Sequence, residues 1–209
     1  MPRILIADDH AIIRKGIIQI VLSHYPAAII AEASDSDSLL SRVTSEAWDV
    51  VISDLNMPGT NYFDVLKQIK KIHPALPVLV MSMYTEEQYA IRVMKAGASG
   101  FLSKVSIHDH LLDAIEVVLK GRKFITPYLA EKLADSLNEG TSSEPHMQLS
   151  DREFDVLKML AAGKPISEIA RLLALSPTTV STYRARIMEK MKMKSNAELT
   201  RFALEKNLI

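Results

Sequence analysis

Acidic side chains follow two strand-like apolar segments of the chain. Asp8 and Asp9 come directly after residues 4–7, and Asp54 comes directly after residues 51–53. Because parallel strands end at a common edge of a sheet, we expect these three carboxylates to lie close together. Like charges at short range repel one another, so the cluster favours a bound divalent cation. Mg²⁺ suits it, because this ion binds through one or two carboxylates and completes its shell with waters and phosphate oxygens.

Two further polar residues occupy equivalent positions after later strand candidates. Ser82 ends the fourth candidate, and Lys104 follows the fifth. The lysine could pair with oxygens of a phosphoryl group on Asp54, and the serine hydroxyl could donate a hydrogen bond to another oxygen. Taken singly, each residue has an ordinary structural explanation, such as a turn-forming aspartate or a solvated lysine. Their joint placement favours formation of an aspartyl phosphate, with Mg²⁺ screening the charge of both reactants.

The elements that must position these groups alternate along residues 2–120. Strand candidates are Arg3–Ala7, Ala28–Ala33, Val50–Ser53, Pro77–Ser82 and Gly100–Leu102. Amphipathic helical patterns fall between and after them, at residues 11–23, 36–46, 61–72, 86–96 and 107–119. Near-continuous apolar strands alternating with helices predict a parallel sheet that is covered on both faces. We therefore expect an α/β, flavodoxin-like (βα)5 domain with a five-stranded sheet, whose ligand site lies beyond the carboxyl ends of the strands.

The character of the chain changes after this domain. A helical pattern runs to Leu137, and residues 138–145 are polar with Gly and Pro, as in a linker. From residue 149 onward the pattern is helical only, with four short helices that predict a small all-α domain. We expect three parts: a domain at residues 1–121, a linker with a helical segment at 122–147, and the all-α domain at 148–209.

Composition limits the classes of protein to which the chain can belong. It has 209 residues, 48% of them apolar and 24% charged, and it has no cysteine, which excludes disulfides and thiolate metal sites. No run of about 18 apolar residues is present and no signal-peptide pattern opens the chain, so neither a membrane span nor export is expected. A cytoplasmic location follows as the expectation. None of the six histidines has metal-ligand spacing, and we predict no role for His10.

The all-α part has the spacing of a helix-turn-helix motif. Two helices, predicted at Ile166–Leu173 and from Pro177 to about Met191, meet through a tight turn, and the second could enter the major groove of DNA. Residues 148–209 carry 11 Lys and Arg against 7 Asp and Glu, a modest excess of positive charge that suits a polyanion. We predict that base edges are approached by Ser181, Thr182 and Ala185, flanked by Thr178 and Thr179, and that phosphates are contacted by Arg184, Arg186, Lys190 and Lys192.

Together these motifs resemble bacterial response regulators of the NarL/FixJ family. The resemblance rests on Ala-Asp-Asp-His at residues 7–10, Asp-Leu-Asn-Met-Pro-Gly at 54–59 and Lys-Ala-Gly-Ala-Ser-Gly-Phe-Leu-Ser-Lys at 95–104. The segment from Leu149 to the C-terminus is similar to the LuxR-type helix-turn-helix domain of that family. The resemblance covers nearly the whole chain.

The resemblance implies a role for each site residue. Asp54 is then the phosphoacceptor, and Mg²⁺ (or Mn²⁺) is held by Asp9, Asp54 and the backbone carbonyl of Asn56, with Asp8 acting through water or the surrounding network. Ser82 is the switch hydroxyl, Phe101 is the aromatic that moves inward on activation, and Lys104 pairs with the phosphoryl group.

The function that follows is a DNA-binding transcriptional response regulator, switched by phosphorylation of Asp54. Its partners would be a sensor histidine kinase or phosphotransfer protein, double-stranded promoter DNA and, when active, a second copy of the chain. Such a protein is not an enzyme beyond catalysing its own Mg²⁺-dependent phosphorylation and dephosphorylation. Two alternatives remain open. One is a phosphatase with Asp54 as nucleophile, since Asp54-Leu55-Asn56 is similar to the Asp-x-Asp of haloacid-dehalogenase-type enzymes; the other is a DNA-binding module whose receiver is never phosphorylated.

Overall fold

The computed structural model describes residues 1–138, 145–206 and 208–209. The chain divides into two compact units, Met1–Lys132 and Leu133–Ile209. Residues 139–144, which cover most of the predicted linker at 138–145, lie outside the described residues. Each unit is considered by itself below.

The N-terminal unit is built on one parallel sheet. Its five strands are β1 (Arg3–Ala7), β2 (Ile29–Ala33), β3 (Val50–Asp54), β4 (Val78–Ser82) and β5 (Gly100–Ser103). They lie in the order β2-β1-β3-β4-β5, and every neighbouring pair is parallel. The helices between and after them are α1 (Ala11–His24), α2 (Ser36–Ser45), α3 (Tyr62–Ile72), α4 (Glu86–Lys95) and α5 (Ile107–Leu119). The predicted (βα)5 fold is confirmed.

The apolar character of the central strands explains why helices cover both faces of the sheet. Every residue of β3 and β4 is buried, including the polar residues Ser53, Asp54 and Ser82. On one face of the sheet, α1 and α5 pack against alternate strand residues. Ile17 of α1, Leu111 of α5 and Ile52 of β3 belong to the same buried cluster. Burial on both faces demands continuous runs of Val, Ile and Leu, which is the pattern that predicted the strands.

The predicted and observed elements differ at a few ends. β3 extends one residue further than predicted, because the amide of Leu55 donates to the carbonyl of Met81 (2.8 Å) and continues the ladder past Asp54. Asp54 is therefore the last residue of a strand, and its backbone is held by the sheet. A loop aspartate would have more freedom, so this placement favours a precisely oriented carboxylate.

The C-terminal unit contains four short helices after a 3-10 turn at Pro145–Gln148. The helices are α7 (Asp151–Ala161), α8 (Ile166–Leu172), α9 (Pro177–Met191) and α10 (Asn196–Glu205), and they follow α6 (Pro127–Asn138), which spans the boundary between the units. Ser150 and Glu153 form the predicted capping box of α7. Ser176 caps α9 and Pro177 occupies its first turn, where a missing amide hydrogen has no cost. The predicted all-α fold of this part is confirmed.

Two glycines provide a matched test of packing in the N-terminal unit. A Cβ at Gly100 would lie 2.9 Å from Leu79 and 3.0 Å from the Cβ of Phe124, whereas a Cβ at Gly16 in α1 would meet nothing within 4 Å. We expect Gly100→Ala to lower the free energy of unfolding by roughly 1–3 kcal/mol through overpacking. Gly16→Ala should raise it by about 0.5–1 kcal/mol through helix propensity.

Urea denaturation followed by the fluorescence of Trp48 measures both effects. Trp48 is the single tryptophan of the chain and lies in the N-terminal unit, so its signal reports that unit alone. Equal stabilities of the two variants would contradict the close approach of Phe124 to β5.

Candidate functional sites

Four polar side chains meet where β1 and β3 end. The two strands are hydrogen-bonded neighbours in register, with Ala7 opposite Ser53, so Asp8 and Asp54 leave the sheet side by side. Both are almost fully buried, with exposures of 0% and 3%, whereas Asp9 is exposed. Ligand atoms of Asp8, Asp9, His10 and Asp54 all lie within 4.8 Å of one another. The three carboxylates that the sequence predicted to gather do gather.

Lys104 supplies the positive charge of this cluster. Its Nζ lies 2.6 Å from Oδ2 of Asp8 and 2.8 Å from Oδ2 of Asp54, and only 5% of its side chain is exposed. The backbone amide of Lys104 donates to the carbonyl of Ser82 (2.7 Å), which fixes the start of the side chain just beyond the sheet. A single ammonium therefore bridges two buried carboxylates.

The two partners of this bridge respond differently to burial. Burial disfavours the charge on Lys104, but hydrogen bonds to the two carboxylates outweigh it and raise the lysine pKa. Burial raises the pKa of Asp54, Lys104 only partly opposes this, and the charge of Asp8 raises the pKa further. Oδ1 of Asp54 has no hydrogen-bond partner among the described residues. The site thus holds a buried, incompletely neutralised carboxylate, one oxygen of which has no hydrogen-bond partner in this part of the structure.

Ser82 and Phe101 lie at the adjacent strands, as the order of the sheet requires. Ser82 is fully buried at the end of β4, and its Oγ accepts a hydrogen bond from the amide of Tyr84 (3.1 Å). Phe101 pairs in register with Val80 and is 1% exposed, so its ring is already inside the unit. Asn56, whose carbonyl is the predicted metal ligand, is in the exposed loop after β3.

His10 is a member of the cluster for which we predicted no role. Its Nδ1 lies 2.7 Å from Oδ1 of Asp9 and 3.4 Å from Oδ1 of Asp8, and its backbone amide donates to the same Asp8 oxygen (2.8 Å). A search for conventional ligand spacing among histidines misses it. The relevant signal is its position, since His10 directly follows two aspartates at the end of a strand. The turn into α1 then places the His10 ring beside both carboxylates.

Ser53 and Tyr62 form a second buried contact beside the cluster. Their hydroxyls are joined by a hydrogen bond inside the unit, next to the phosphoacceptor candidate in sequence. Burial raises the pKa of Tyr62, with Asp54 adding to the effect. The phenol therefore stays neutral and can keep its proton in this hydrogen bond.

The second candidate site is α9. Its buried residues are Val180, Ile187 and Met191, which occur at helical spacing on the face toward the domain core. The turn that precedes it contains Ala174 with a positive φ of 52°, and Ser176 accepts from the amide of Thr179 (3.1 Å). On the exposed surface are Thr178, Ser181, Thr182, Ala185, Arg186, Lys190 and Lys192, with Thr179 and Arg184 half-buried.

Two of the predicted phosphate contacts have partners inside the domain. Nζ of Lys190 lies 2.6 Å from Oε2 of Glu153, a side chain that is only 3% exposed. Nε of Arg184 donates to Oδ1 of Asn196 in α10 (2.9 Å). Lys190 thereby ties α9 to the start of α7, a role that the sequence did not predict. Within the described part of the chain, Arg186 and Lys192 make no ion pair, so their charges face solvent.

Glu153 is held ionised by these contacts. Burial opposes its charge, but hydrogen bonds from Lys190 and Ser150 outweigh it and lower the pKa of the carboxyl. The same carboxylate accepts from the amide of Ser150 (2.7 Å) in the capping box. One side chain therefore caps α7 and anchors the candidate recognition helix.

Comparison with known proteins decides the family. The response regulator receiver domain matches residues 4–116, and the bacterial regulatory proteins of the luxR family match residues 147–203. The chain belongs to the NarL/FixJ response regulators. Response regulator UvrY of Escherichia coli K12 is 32% identical over the whole chain and 96% of its own length. Response regulator GacA of Pseudomonas protegens is 30% identical over the whole chain and 98% of its own length.

Solved structures of response regulators are similar to this chain over nearly all of its length. RcsB of Salmonella enterica serovar Typhimurium, bound to promoter rprA in the presence of the phosphomimetic BeF3⁻, has a TM-score of 0.68 and 27% identity. That comparison covers 97% of this chain and 98% of RcsB. A further RcsB structure from Salmonella typhimurium has a TM-score of 0.72 at 25% identity, with 98% of both chains covered.

The family assignment bears on the alternatives raised by the sequence. A receiver and a luxR-type domain together account for a response regulator and give no support to a phosphatase. Among the described residues, no helix is long and apolar enough to cross a membrane.

The raised pKa of Asp54 predicts that the free energy of unfolding depends on pH. Its ionisation costs the folded state free energy at every pH above the folded pKa, and the cost disappears below the ordinary aspartate pKa of about 4. Asp54→Asn leaves Lys104 paired with Asp8 alone and should stabilise the N-terminal unit at neutral pH by roughly 1–2 kcal/mol, as expected for relief of a poorly balanced buried charge. The advantage should shrink as the pH falls toward 4.

Urea denaturation in EDTA, followed at Trp48 from neutral to acidic pH, measures this difference. Asp64→Asn, an exposed change in the first turn of α3, serves as control and should alter stability by less than about 0.5 kcal/mol. A less stable Asp54→Asn at neutral pH would show that the charge at residue 54 is fully compensated.

Proposed function

We propose that Asp54 accepts a phosphoryl group from a sensor histidine kinase or phosphotransfer protein and thereby controls binding of α9 to promoter DNA. One observation carries the proposal. The Asp54 carboxylate is buried, Lys104 holds its Oδ2, and Oδ1 has no partner among the described residues. A carboxylate held in this way is positioned as a nucleophile would be, with one oxygen that no side chain of the described residues occupies.

The transfer needs little chemistry beyond positioning. Oδ1 of Asp54 forms the new bond to phosphorus while the bond from phosphorus to the donor histidine nitrogen breaks, and the electron pair stays on that nitrogen. Lys104 already lies 2.8 Å from the other Asp54 oxygen, so its ammonium can pair with a phosphoryl oxygen next to it. Ser82, buried at the end of β4, can donate its hydroxyl hydrogen to another phosphoryl oxygen.

The acid cluster fits Mg²⁺ or Mn²⁺. Hard divalent cations take oxygen ligands, and the cluster offers several carboxylate oxygens within 4.8 Å of one another, beside an Asp54 oxygen that lacks a partner. Asp9, Asp54 and the carbonyl of Asn56 would hold the ion, and Asp8 would act through water or through its pair with Lys104. When bound, the ion screens the negative charge of carboxylate and phosphoryl group from each other.

Phosphorylation then alters the charge that Ser82 and Lys104 contact. The new group adds about −1.5 to −2 charges and three acceptor oxygens at the edge of the sheet. The Ser82 hydroxyl would turn toward it, away from the amide of Tyr84 from which it now accepts. Phe101, 1% exposed on the neighbouring β5, would be the aromatic side chain that adjusts to this movement. The surface that responds is formed by α4 and β5.

The output is assigned to α9. Its exposed surface combines small polar side chains with Arg186 and Lys192, which suits base edges flanked by phosphates. RcsB, which shares the fold over both units, has been solved on promoter DNA and as two dimers bound to two parallel DNAs. By the same reasoning, this chain would bind promoter DNA as a homodimer when it is phosphorylated.

The phosphoacceptor role is tested by intact mass. Incubation of the full chain with acetyl phosphate and Mg²⁺ should add the mass of one phosphoryl group, and chelation of Mg²⁺ should prevent the gain. Asp54→Asn should gain nothing, because an amide cannot act as the nucleophile. Asp49→Asn, in the segment before β3, is the matched control and should be phosphorylated as the wild type is. An unmodified wild type would favour the alternative of a receiver that is never phosphorylated.

The role of Arg186 is tested by the salt dependence of DNA binding. A protein that has lost one phosphate contact releases one fewer counterion when it binds DNA. Arg186→Ala should therefore weaken binding to all sequences alike and reduce the salt slope by about one. Arg201→Ala removes the same charge from α10, and it should leave the slope unchanged. Fluorescence anisotropy with cognate and random duplexes over a salt series gives both values. A wild-type slope in Arg186→Ala would remove this residue from the interface.

A further inference from the structure

The loop that follows Asp54 is held from both ends. At its start, the amide of Leu55 donates to the carbonyl of Met81 in β4 (2.8 Å). At its end, the side chain of Asn61 caps α3 by accepting from the amide of Phe63 (3.1 Å). Asn56, whose carbonyl is the proposed metal ligand, lies between these two fixed points.

The middle of the loop is held by a different element, the N-terminus of α2. The amide of Ser36 donates to the carbonyl of Pro58 (2.9 Å), and Ser36 is fully buried. Ser36 is the first residue of the helix after the cap Asp35, so its amide is one of those that a helix leaves without an internal acceptor. The loop carbonyl supplies that acceptor. A single backbone hydrogen bond therefore completes the helix end and fixes the loop.

Asp37, the next residue of α2, adds one side-chain hydrogen bond and lies close to the backbone of Gly59. Its Oδ1 accepts a hydrogen bond from Oγ1 of Thr60 (2.6 Å). Gly59 has a φ of +99°, and a Cβ there would lie 2.6 Å from Oδ2 of the same carboxylate. Glycine is required at residue 59 both by the left-handed backbone and by the close approach of Asp37. The loop is thus shaped to fit this carboxylate.

We propose that the N-terminus of α2 clamps the phosphoacceptor loop, with Asp37 and Thr60 as positioning residues that fix the Asn56 carbonyl for the divalent cation. This rests on the proposed function, since it concerns the metal of that site. Asp37 and Thr60 are outside the acid cluster and contact no reacting atom. Their effect passes through the backbone of residues 56–60, which has little freedom because four hydrogen bonds hold it, two at its ends and two from α2.

The clamp is tested by Mg²⁺ titration of the full chain in a calorimeter. Thr60→Val removes the hydroxyl at nearly constant volume, Asp37→Ala removes the acceptor, and Thr60→Ser retains the contact. Thr60→Val and Asp37→Ala should each weaken Mg²⁺ binding by about three- to tenfold. Thr60→Ser should match the wild type. Because both changes break the same contact, the double variant should bind Mg²⁺ as tightly as the single variant with the lower affinity does.

Phosphorylation rates separate positioning from a general loss of structure. With acetyl phosphate at low Mg²⁺, the rates of Thr60→Val and Asp37→Ala should fall by the same factor as their affinity, and saturating Mg²⁺ should restore them. Thr44→Val, whose hydroxyl donates within α2 to Leu40 and Ser41, is the matched control and should behave as the wild type.

The outcomes distinguish this inference from the function on which it rests. Wild-type Mg²⁺ affinity in both clamp variants, with Mg²⁺-dependent phosphorylation intact throughout, overturns the clamp and leaves the proposed function standing. A rate defect that saturating Mg²⁺ does not restore also overturns it, because the residues would then act on structure alone. Failure of the wild-type chain to bind Mg²⁺ or to gain a phosphoryl group overturns the proposed function and the clamp together.

Discussion

The N-terminal site depends on one ammonium group shared between two buried carboxylates. Lys104 bridges Asp8 and Asp54 at 2.6 and 2.8 Å, and these three groups come from the ends of β5, β1 and β3. A charge pair in this environment is stable only if its geometry is good, because burial removes the water that would otherwise solvate each ion. Two acids and one base leave a deficit of positive charge, and Asp9 beside them enlarges it. The site consequently attracts a cation. An added group that Lys104 can also contact would stabilise it further.

The sheet makes this arrangement possible without any local sequence motif that contains all the groups. Parallel strands in register end together, so one residue at or just after the end of each of three strands is enough to assemble the cluster. In the C-terminal unit, too, residues from separate elements meet in one contact. Glu153 caps α7, and Lys190 reaches it from α9, so that the exposed side of α9 has a defined orientation relative to the domain core. In both units a buried carboxylate with a lysine partner lies where the proposed function places its site.

The alternation of strand and helix patterns predicted the (βα)5 fold, and the capping signals predicted the starts of α7 and α9, because these depend on nearest neighbours along the chain. The strand-end placement of Asp54 and Lys104 predicted that they would meet. The partner of Lys190 was not predictable, because Glu153 is 37 residues away and reads locally as a cap. His10 was missed for a related reason: its proximity to Asp9 follows from the turn into α1, and spacing between histidines contains no information about it.

Aromatic rings connect the start of α3 with α4 and with the segment that follows β4. The Tyr84 ring stacks on Tyr89 (4.9 Å between centroids), Tyr89 stacks on Phe63 (6.3 Å), and Phe63 meets Tyr62 edge to face (6.4 Å). Tyr62 in turn is hydrogen-bonded to Ser53, the residue before Asp54. The other end of this series, Tyr84, lies two residues after Ser82, whose Oγ accepts from the Tyr84 amide. A packed series of this kind resists small, continuous shifts, because interiors are close-packed and movement of one ring displaces the next. If the Ser82 hydroxyl turned toward a phosphoryl group on Asp54, as proposed, the Tyr84 amide would lose this acceptor, and the first ring of the series would be the one freed to move.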